Sequence, residues 1–431
     1  MDKNPSISAT KLAVSKNRPT DGVLEETSEG DLETSRTDLA ARWLGGSVVA
    51  ASDESFGVKE NLLNSSPAFF EPGHYDHRGE IVDGWETRRR HEPGYDWALV
   101  RLGSPGTIAS IDVDTSFFTG NHPESCQVEA CGCEGYPSPS DLNSPAISWV
   151  EIVPRSPLHG DTHNRFLVED SRRFTHIKLS IFPDGGVARL RVFGDVLPDP
   201  RELDGLTVDL ASPERGGQVV ASSDAYYSSA GMLIRPDRAR TQGEAWQTRR
   251  RRDSGHEFVL FKLGLLGEIR RLIVDTSNFR YQAFASVAVY GCDQESVPSV
   301  ESGIWVPLLN QTDLQPDTRH VFKVASDRPV GWIRLDAFRD GGLSRVRVIG
   351  CVDPTARRRA GYRWFNSLPG DQALCCLADA VVSPDFAARV VEQRPLPDGW
   401  LEGMRPSAGA PSSADHLEAD LRGLGKMLEG L

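Results

Sequence analysis

Short runs of alternating apolar and polar residues fill the middle of the chain and predict β-strands. The clearest runs are Asp96–Leu102, Ile108–Val113 and Phe174–Phe182, which are rich in aromatic and β-branched residues. The third run meets an Asp-Gly-Gly turn and returns as Arg-Leu-Arg-Val-Phe-Gly, a pattern typical of a β-hairpin. Turns rich in Gly and Pro separate the runs. We therefore expect an all-β fold of the β-sandwich or jelly-roll type.

The same pattern occurs twice along the chain. Trp85–Arg90 reads WETRRR and Trp246–Arg251 reads WQTRRR, an offset of 161 residues that still holds between Asp114–Ser116 and Asp275–Ser277. Self-similarity over this distance indicates a duplicated domain. We predict two tandem jelly-roll domains, called here the first repeat and the second repeat, at residues 40–197 and 198–353.

Both ends of the chain lack this strand pattern. Residues 1–39 are mostly polar and charged, which predicts a disordered tail. Residues 354–431 predict a short helical segment, with two helices in Tyr362–Gln393 that separate at Ser383-Pro384 and a flexible linker at Pro406–Ala414. A final amphipathic helix at Ala414–Leu431 is predicted by one apolar stripe: Leu417, Leu421, Leu424 and Leu428.

Composition narrows the classes of partner. The 431 residues carry a formal net charge of −13, which disfavours nucleic acid because a phosphate backbone repels an acidic protein. The sequence has no apolar run near the roughly 20 residues of a membrane helix and no apolar signal-peptide core, so we expect no membrane partner. Seven cysteines are an odd number for a long chain, which favours a reducing compartment and a cytoplasmic location.

The strongest candidate for chemistry is Asp83–Arg90, which reads DGWETRRR. An Arg guanidinium is permanently charged and binds a carboxylate through two parallel hydrogen bonds. Several Arg beside Trp85, Glu86 and Thr87 would hold a small planar anion. A solvated basic loop or structural salt bridges would explain the same residues, and along a strand only one or two of the three Arg face the same side.

A second polar group follows the predicted strand Ile108–Val113. Asp114, Asn121 and His122 lie in the turn beyond it, where binding sites on such scaffolds are usually built. Asp and Asn side chains also cap their own turns, so a purely structural role is an equal alternative. Asp184 in the Asp-Gly-Gly turn is more simply explained as a hairpin residue, although it stays a candidate.

Metal-binding signals are weak. Cys131-Gly-Cys133 has no second pair at zinc-like spacing, and His74 and His77 lie in a segment that does not predict a helix. The sequence demands no cofactor, and the need for a divalent metal remains open.

These motifs resemble those of the allantoicase family. The similarity includes DGWETRR, DTSFFTGN from Asp114, and PDGGxxRLRV from Pro183, in the family's order, and it spans roughly residues 40–352. The resemblance implies two galactose-binding-like jelly rolls, a homo-oligomer, and hydrolysis of allantoate to ureidoglycolate and urea in purine degradation. A non-catalytic jelly-roll binding module or pathway scaffold is the alternative, because fold alone does not fix function.

On the implied substrate, the polar residues take chemical roles. Arg88 or Arg90 would bind the carboxylate, and Trp85 would form an apolar wall. Glu86, Asp114 and His122 are the acid–base candidates, and Asn121 would bind a ureido group. Thr87 and Asp184 complete the substrate-binding candidates.

The second repeat departs from this set. Glu86 becomes Gln247, and the stretch Thr119–Pro123 becomes Arg280–Phe284. We therefore expect the first repeat to carry more of the chemistry. The helical segment, through Phe365–Pro369 and Ala387–Pro395, resembles the opening helices of ureidoimidazoline decarboxylases, whose catalytic part has no counterpart before Leu431. The resemblance thus implies an accessory role for the segment.

Overall fold

The computed structural model describes residues 36–77, 79–294, 297–298, 300, 304–324, 328–404 and 414–430. Most of the predicted tail and of the predicted linker lies outside these residues. Within the last residues of the predicted tail, Thr37 and Asp38 form a strand and Leu39 is buried in the first core.

Strands are the main regular elements of the first repeat. In chain order they are β1 (Thr37–Asp38), β2 (Ser47–Ala51), β3 (Tyr75–Asp76), β4 (Gly79–Glu80), β5 (Trp85–Glu86), β6 (Asp96–Asp114), β7 (Ser125–Cys131), β8 (Val150–Pro157), β9 (His163–Leu167), β10 (Arg173–Phe182), β11 (Gly186–Val187) and β12 (Arg189–Val196). Short helices occur at Arg42–Leu44, Lys59–Leu63 and α1 (Pro139–Leu142).

The long strand β6 joins the two layers of the sandwich. Its first half pairs with β2 and β10, and its second half pairs with β9 and β12, all antiparallel. The sequence predicts two strands here, separated at Gly103–Gly106, but the chain continues through as one. Gly106 permits this because a Cβ there would lie 2.3 Å from the carbonyl oxygen of Asp195.

The predicted hairpin at Asp184 is wrong. β10 pairs with β6 and β7, whereas β12 pairs with β1 and β6, so the two strands do not pair with each other. The turn instead crosses from one layer to the other, and its residues Gly186 and Val187 pair with Glu86 and Trp85. The residues of the turn correctly predicted that the chain reverses its direction here, but they did not predict which strands β10 and β12 pair with.

The second repeat reproduces the first. Its strands are β13 (Val208–Asp209), β14 (Gln218–Ser222), β15 (Trp246–Gln247), β16 (His256–Asp275), β17 (Ser286–Cys292), β18 (Val306–Asp313), β19 (Arg319–Lys323), β20 (Val330–Phe338), β21 (Gly342–Leu343) and β22 (Arg345–Val352). Four 3₁₀ helices lie in and before it: Pro200–Leu203, Pro213–Arg215, Ala230–Ile234 and Gln242–Glu244. The strand order β13-β22-β16-β20-β17-β18 matches β1-β12-β6-β10-β7-β8.

Helices follow the second repeat: α2 (Pro354–Ser367), α3 (Gly370–Asp379), α4 (Pro384–Glu392), α5 (Trp400–Met404) and α6 (Ala414–Glu429). The break at Ser383-Pro384 is confirmed, but the region predicted as two helices also breaks at Leu368. Leu368 is extended, with φ −66° and ψ 141°, because the following Pro369 disfavours the helical conformation.

Among the described residues, the three largest of five hydrophobic clusters form the cores of the two repeats and of the helical segment. The first lies between Leu39 and Val196, the second between Leu203 and Val348, and the third among the C-terminal helices around Trp364 and Leu424. The predicted fold class, two β-sandwich repeats with a short helical segment, is confirmed. The domain limits at residues 197 and 353 stay predictions.

Candidate functional site

A buried tryptophan anchors one rim of the first repeat. Trp85 is 0% exposed within the first core, and its Nε1 donates to the backbone oxygen of Asp53 at 2.8 Å. The predicted role of Trp85 as an apolar wall for substrate is therefore not supported, because a fully buried indole presents no surface to a ligand. Its position instead fixes the neighbouring Glu86 at the rim, where β5 pairs with β11 and Gly57 bridges to Glu86.

Glu86 and Asn121 form a hydrogen-bonded pair at this rim. Asn121 Nδ2 donates to Glu86 Oε1 at 2.7 Å, and the backbone oxygen of Asn121 accepts from Gly186 N at 2.8 Å. Partial burial raises the pKa of the Glu86 carboxyl, while the hydrogen bond from Asn121 lowers it by a smaller amount. A carboxyl with a raised pKa keeps more of its protonated form towards neutral pH, which suits a general acid.

Of the three consecutive arginines, Arg88 and Arg89 are exposed and Arg90 is partly buried. Arg90 Nη1 donates to the buried carboxylate of Asp96 at 2.9 Å, so its guanidinium is engaged inside the fold. Arg88 is 75% exposed, its backbone N–H donates to Asp53 Oδ1 at 2.9 Å, and its Nε lies 3.4 Å from Asp53 Oδ2. Arg88 is therefore better placed than Arg90 to receive an anion from solvent.

Thr87 and Asp184 hold the rim loops together. Thr87 is 3% exposed; its backbone N–H donates to Gly185 O at 3.2 Å, and its Oγ1 accepts from Gly185 N at 3.2 Å. Asp184 Oδ2 accepts from the backbone N–H of Arg90 at 2.7 Å. Both residues position the segment that carries Glu86 and Arg88.

Asp114 caps its own turn. Its carboxylate is buried and accepts from the backbone and the hydroxyl of Ser116 at 2.8 and 2.5 Å. His122 is half-buried, and its Nδ1 lies 3.2 Å from the backbone oxygen of Thr119. Gly160 packs directly on this imidazole, because a Cβ there would lie 2.5 Å from His122 Nδ1. The turn at 114–123 and the loop at 158–163 thus meet at His122.

Sequence reasoning missed a carboxylate–imidazole pair in the first repeat. Asp112 on β6 is 5% exposed, and its Oδ2 lies 2.9 Å from Nδ1 of His163 on β9, an imidazole that is 57% exposed. Burial raises the pKa of Asp112, and His163 lowers it by less. A buried carboxylate that orients an exposed imidazole is a common acid–base arrangement. The partners lie 51 residues apart, so only the pairing of β6 with β9 brings them together.

Exposed aromatic side chains belong to the same loops. Phe56 is 47% exposed beside Glu86, to whose backbone oxygen its own N–H donates at 3.2 Å. Phe117 is 43% exposed, and its ring centroid lies 6.2 Å from that of Phe70. These rings supply the apolar surface that Trp85 does not.

A buried arginine fixes the loop that carries Phe69 and Phe70. Arg189 donates to the backbone oxygens of Ser66 at 3.0 Å and Asp83 at 2.8 Å, and pairs with the Asp83 carboxylate. Phe69 N donates to the same carboxylate at 3.3 Å. The second repeat lacks about ten residues of this loop.

The second repeat keeps the framework but not the carboxylate. Trp246 Nε1 donates to Asp224 O at 2.8 Å, as Trp85 does to Asp53. Gln247 replaces Glu86, and Gln282, at the position of Asn121, donates instead to Gln242 Oε1 at 2.9 Å. The rim of the second repeat therefore has no acidic group at this point.

Each of the two β-sandwich repeats has a rim anchored by a tryptophan, and the Glu86–Asn121 pair lies in the first repeat. These features define a tandem-repeat protein with an asymmetric candidate site. The chain belongs to the allantoicase family, since the model of the allantoicase repeat matches residues 37–197 and 208–353. A probable allantoicase of Streptomyces coelicolor is 42% identical, covering 77% of this chain and 89% of the relative. A probable allantoicase of Nocardia farcinica is 44% identical, covering 74% of this chain and 94% of the relative. The crystal structure of allantoicase from Saccharomyces cerevisiae is 32% identical, covers 73% of this chain and 92% of its own, and has a TM-score of 0.63.

Two further findings concern metals and membranes. Among the described residues, no group of three or more His, Cys, Asp and Glu side chains is arranged to hold a metal ion. In the same part of the chain, every helix is too short or too polar to cross a bilayer.

Proposed function

We propose that this protein is an allantoicase, which hydrolyses allantoate to ureidoglycolate and urea in purine degradation. The reaction is supported by membership of the allantoicase family and by alignments that span most of the length of the related allantoicases. The observation that carries the proposed site is the Glu86–Asn121 pair, a partly buried carboxyl beside an amide at an open rim.

The proposed reaction breaks the bond between the central carbon of allantoate and one ureido nitrogen. The bonding electrons leave with that nitrogen, which takes a proton from Glu86 and departs as urea. Water adds its oxygen to the carbon and returns a proton to Glu86, which restores the acid form. General acid–base assistance of this type is typically worth about 10²–10⁴-fold in rate.

Binding is assigned to the groups around this pair. Arg88 receives the carboxylate of allantoate, Asn121 contacts a ureido group, and Phe56 and Phe117 supply apolar surface. His122, Asp114 and the Asp112–His163 pair stay acid–base candidates for activating water. Thr87, Asp184 and Arg90 act by positioning, and the second repeat contributes mainly structure.

The experiment that tests the function measures urea release from allantoate by the purified full chain, with and without pretreatment with EDTA. Release that survives EDTA supports the reaction without a labile metal. Release that EDTA abolishes and a divalent ion restores supports the reaction with a metal. Absence of release from folded protein under every condition overturns the enzyme proposal and favours a non-catalytic binding module.

Further proposals concern the helical segment, the location and the assembly of the protein. The helical segment is accessory and is not a decarboxylase, in line with its resemblance to only the opening of ureidoimidazoline decarboxylases. The protein is cytoplasmic, which fits seven cysteines that are all unpaired among the described residues. It also assembles as a homo-oligomer and has no nucleic-acid or membrane partner.

A further inference from the structure

A cavity of about 360 Å³ lies where three parts of the chain meet. The segment between the repeats contributes Val196–Pro198, Pro200 and Leu203; the second repeat contributes Lys262–Leu266 and Trp332; and α2 contributes Ala356 and Ala360. This volume accommodates a small organic molecule. The cavity is separate from the Glu86 rim, because none of its lining residues belongs to that rim.

The floor of the cavity is apolar. Leu203 and Leu263 are 5% and 3% exposed, and Trp332 is 4% exposed, so these side chains are fixed by packing in the second repeat. The Trp332 indole is held further by a hydrogen bond from its Nε1 to Gln294 O at 2.8 Å. A rigid apolar floor favours the flat, hydrophobic part of a ligand.

Four cations line the cavity, Arg215, Lys262, Arg359 and Arg363, together with the carboxylates of Asp293 and Asp353. Arg215 lies 3.8 Å from the Glu214 carboxylate and Arg359 lies 4.0 Å from the Asp398 carboxylate, so both are already engaged in ion pairs. The Asp353 carboxylate is already engaged, since it accepts from the backbone N–H groups of Thr355 at 2.9 Å and Ala356 at 3.0 Å at the start of α2. Lys262 and Arg363 are therefore the cations of the lining best placed to receive an anion.

The helical segment forms one wall, and that wall is firmly held. Arg357 on α2 donates from Nε to Asp204 Oδ1 at 2.6 Å and from Nη1 to Leu428 O at 3.0 Å. On α3, Gln372 Nε2 donates to Glu134 Oε1 of the first repeat at 2.6 Å. The matched allantoicase repeats end at residue 353, so α2 adds a wall that the repeats alone do not provide.

We propose that this cavity, completed by α2, is a second binding site for a small molecule with an apolar ring system and one anionic group. Lys262 on β16 and Arg363 on α2 are both exposed and bind the anionic group from two walls. The ring system lies on Leu263 and Trp332. This site gives the helical segment a function that does not depend on the reaction at the Glu86 rim.

The test uses the fluorescent dye anilinonaphthalenesulfonate, which has an apolar ring system and one sulfonate, with phenylnaphthylamine as its neutral analogue. The full chain is expected to bind one dye saturably and to bind the neutral analogue more weakly. The double variant Lys262→Gln/Arg363→Gln should weaken dye binding about tenfold, from the loss of two exposed charge interactions. The control Arg422→Gln, an exposed arginine on α6, should leave dye binding unchanged.

A second variant blocks the cavity. A Cβ added at Gly331 meets only Leu266 Cδ1, at 3.5 Å, so Gly331→Leu has room to fill the cavity and should abolish saturable binding. If Gly331→Leu does not fold, as judged by circular dichroism and thermal unfolding, Ala360→Leu fills it from α2. Dye binding that persists in a folded cavity-filling variant, or equal binding of the neutral analogue, overturns the proposal. Urea release, measured in parallel, reports on the Glu86 rim independently.

Discussion

Replacing Glu86 with Gln changes the proposed acid while keeping its shape. The amide oxygen of Gln still accepts the hydrogen bond that Asn121 Nδ2 donates to Oε1 at 2.7 Å, so the rim geometry should persist. The variant loses only the proton that the carboxyl carries. General acid–base catalysis is worth about 10²–10⁴-fold, which corresponds to about 2.7–5.5 kcal/mol of transition-state stabilisation. We expect kcat for urea release to fall by this amount.

The assay separates a catalytic role from a structural one. If Glu86 acts on the transition state alone, kcat and kcat/KM fall together, whereas a binding role would raise KM with kcat preserved. The thermal unfolding midpoint of Glu86→Gln should stay close to that of the wild type, because the hydrogen bond from Asn121 is retained.

The second repeat provides a matched control. Gln247 occupies the position of Glu86, on β15 beside the buried Trp246. Glu86→Ala should abolish measurable turnover, whereas Gln247→Ala should retain it. Equal losses in the two Ala variants, or turnover within about tenfold of the wild type in Glu86→Gln, would refute the assignment of catalysis to the first repeat.

Three further predictions follow from the same contacts. Asn121→Ala removes the hydrogen bond that lowers the Glu86 pKa, so the alkaline limb of kcat/KM against pH should move to higher pH; a shift to lower pH contradicts a Glu86 acid. Arg189→Met removes the buried partner of Asp83 and should lower the free energy of unfolding, measured with denaturant, by about 3–5 kcal/mol. Arg345→Met should lower it less, because its partner Asp237 is 46% exposed. Equal losses in the two variants would contradict this reasoning. Burial raises the Asp112 pKa above its ordinary 3.8, so the wild type loses stability as pH rises through that raised value. The unfolding free energy of Asp112→Asn relative to the wild type should therefore increase as the pH rises from 3.8 through the raised pKa. A difference that stays constant over this pH range would argue against the raised pKa.

Much of the fold followed from sequence because its signals are local and repeated. Alternation identified β10, and the repeated WxTRRR segment identified the duplication. Such local signals did not predict which strands pair with each other. β10 and β12 flank a turn, but they do not pair with each other and both pair with β6. Gly103–Gly106 reads as a turn, yet it is the place where β6 crosses between layers and its backbone approaches Asp195 closely.

The candidate site was harder to predict because burial decides which polar residue is available. WETRRR contains one buried indole, one buried hydroxyl, one guanidinium engaged with Asp96, and two exposed arginines, Arg88 and Arg89. Strand alternation did not predict this difference, because Arg88–Arg90 lie beyond the end of β5 and two of them are exposed. His163 carried no local signal at all, since its partner Asp112 lies on a distant strand.

Comparison of the two repeats shows what the repeated motif means. Trp85 and Trp246 bond to equivalent backbone oxygens, and Arg90 and Arg251 both pair with a buried carboxylate, Asp96 or Glu257. These shared residues build the rim in both repeats, so their repetition reflects architecture rather than catalysis. Chemistry should therefore be sought where the repeats differ. Glu86 and Asn121 against Gln247 and Gln282, and His163 against Arg319, are such differences, and each places the group able to transfer a proton in the first repeat.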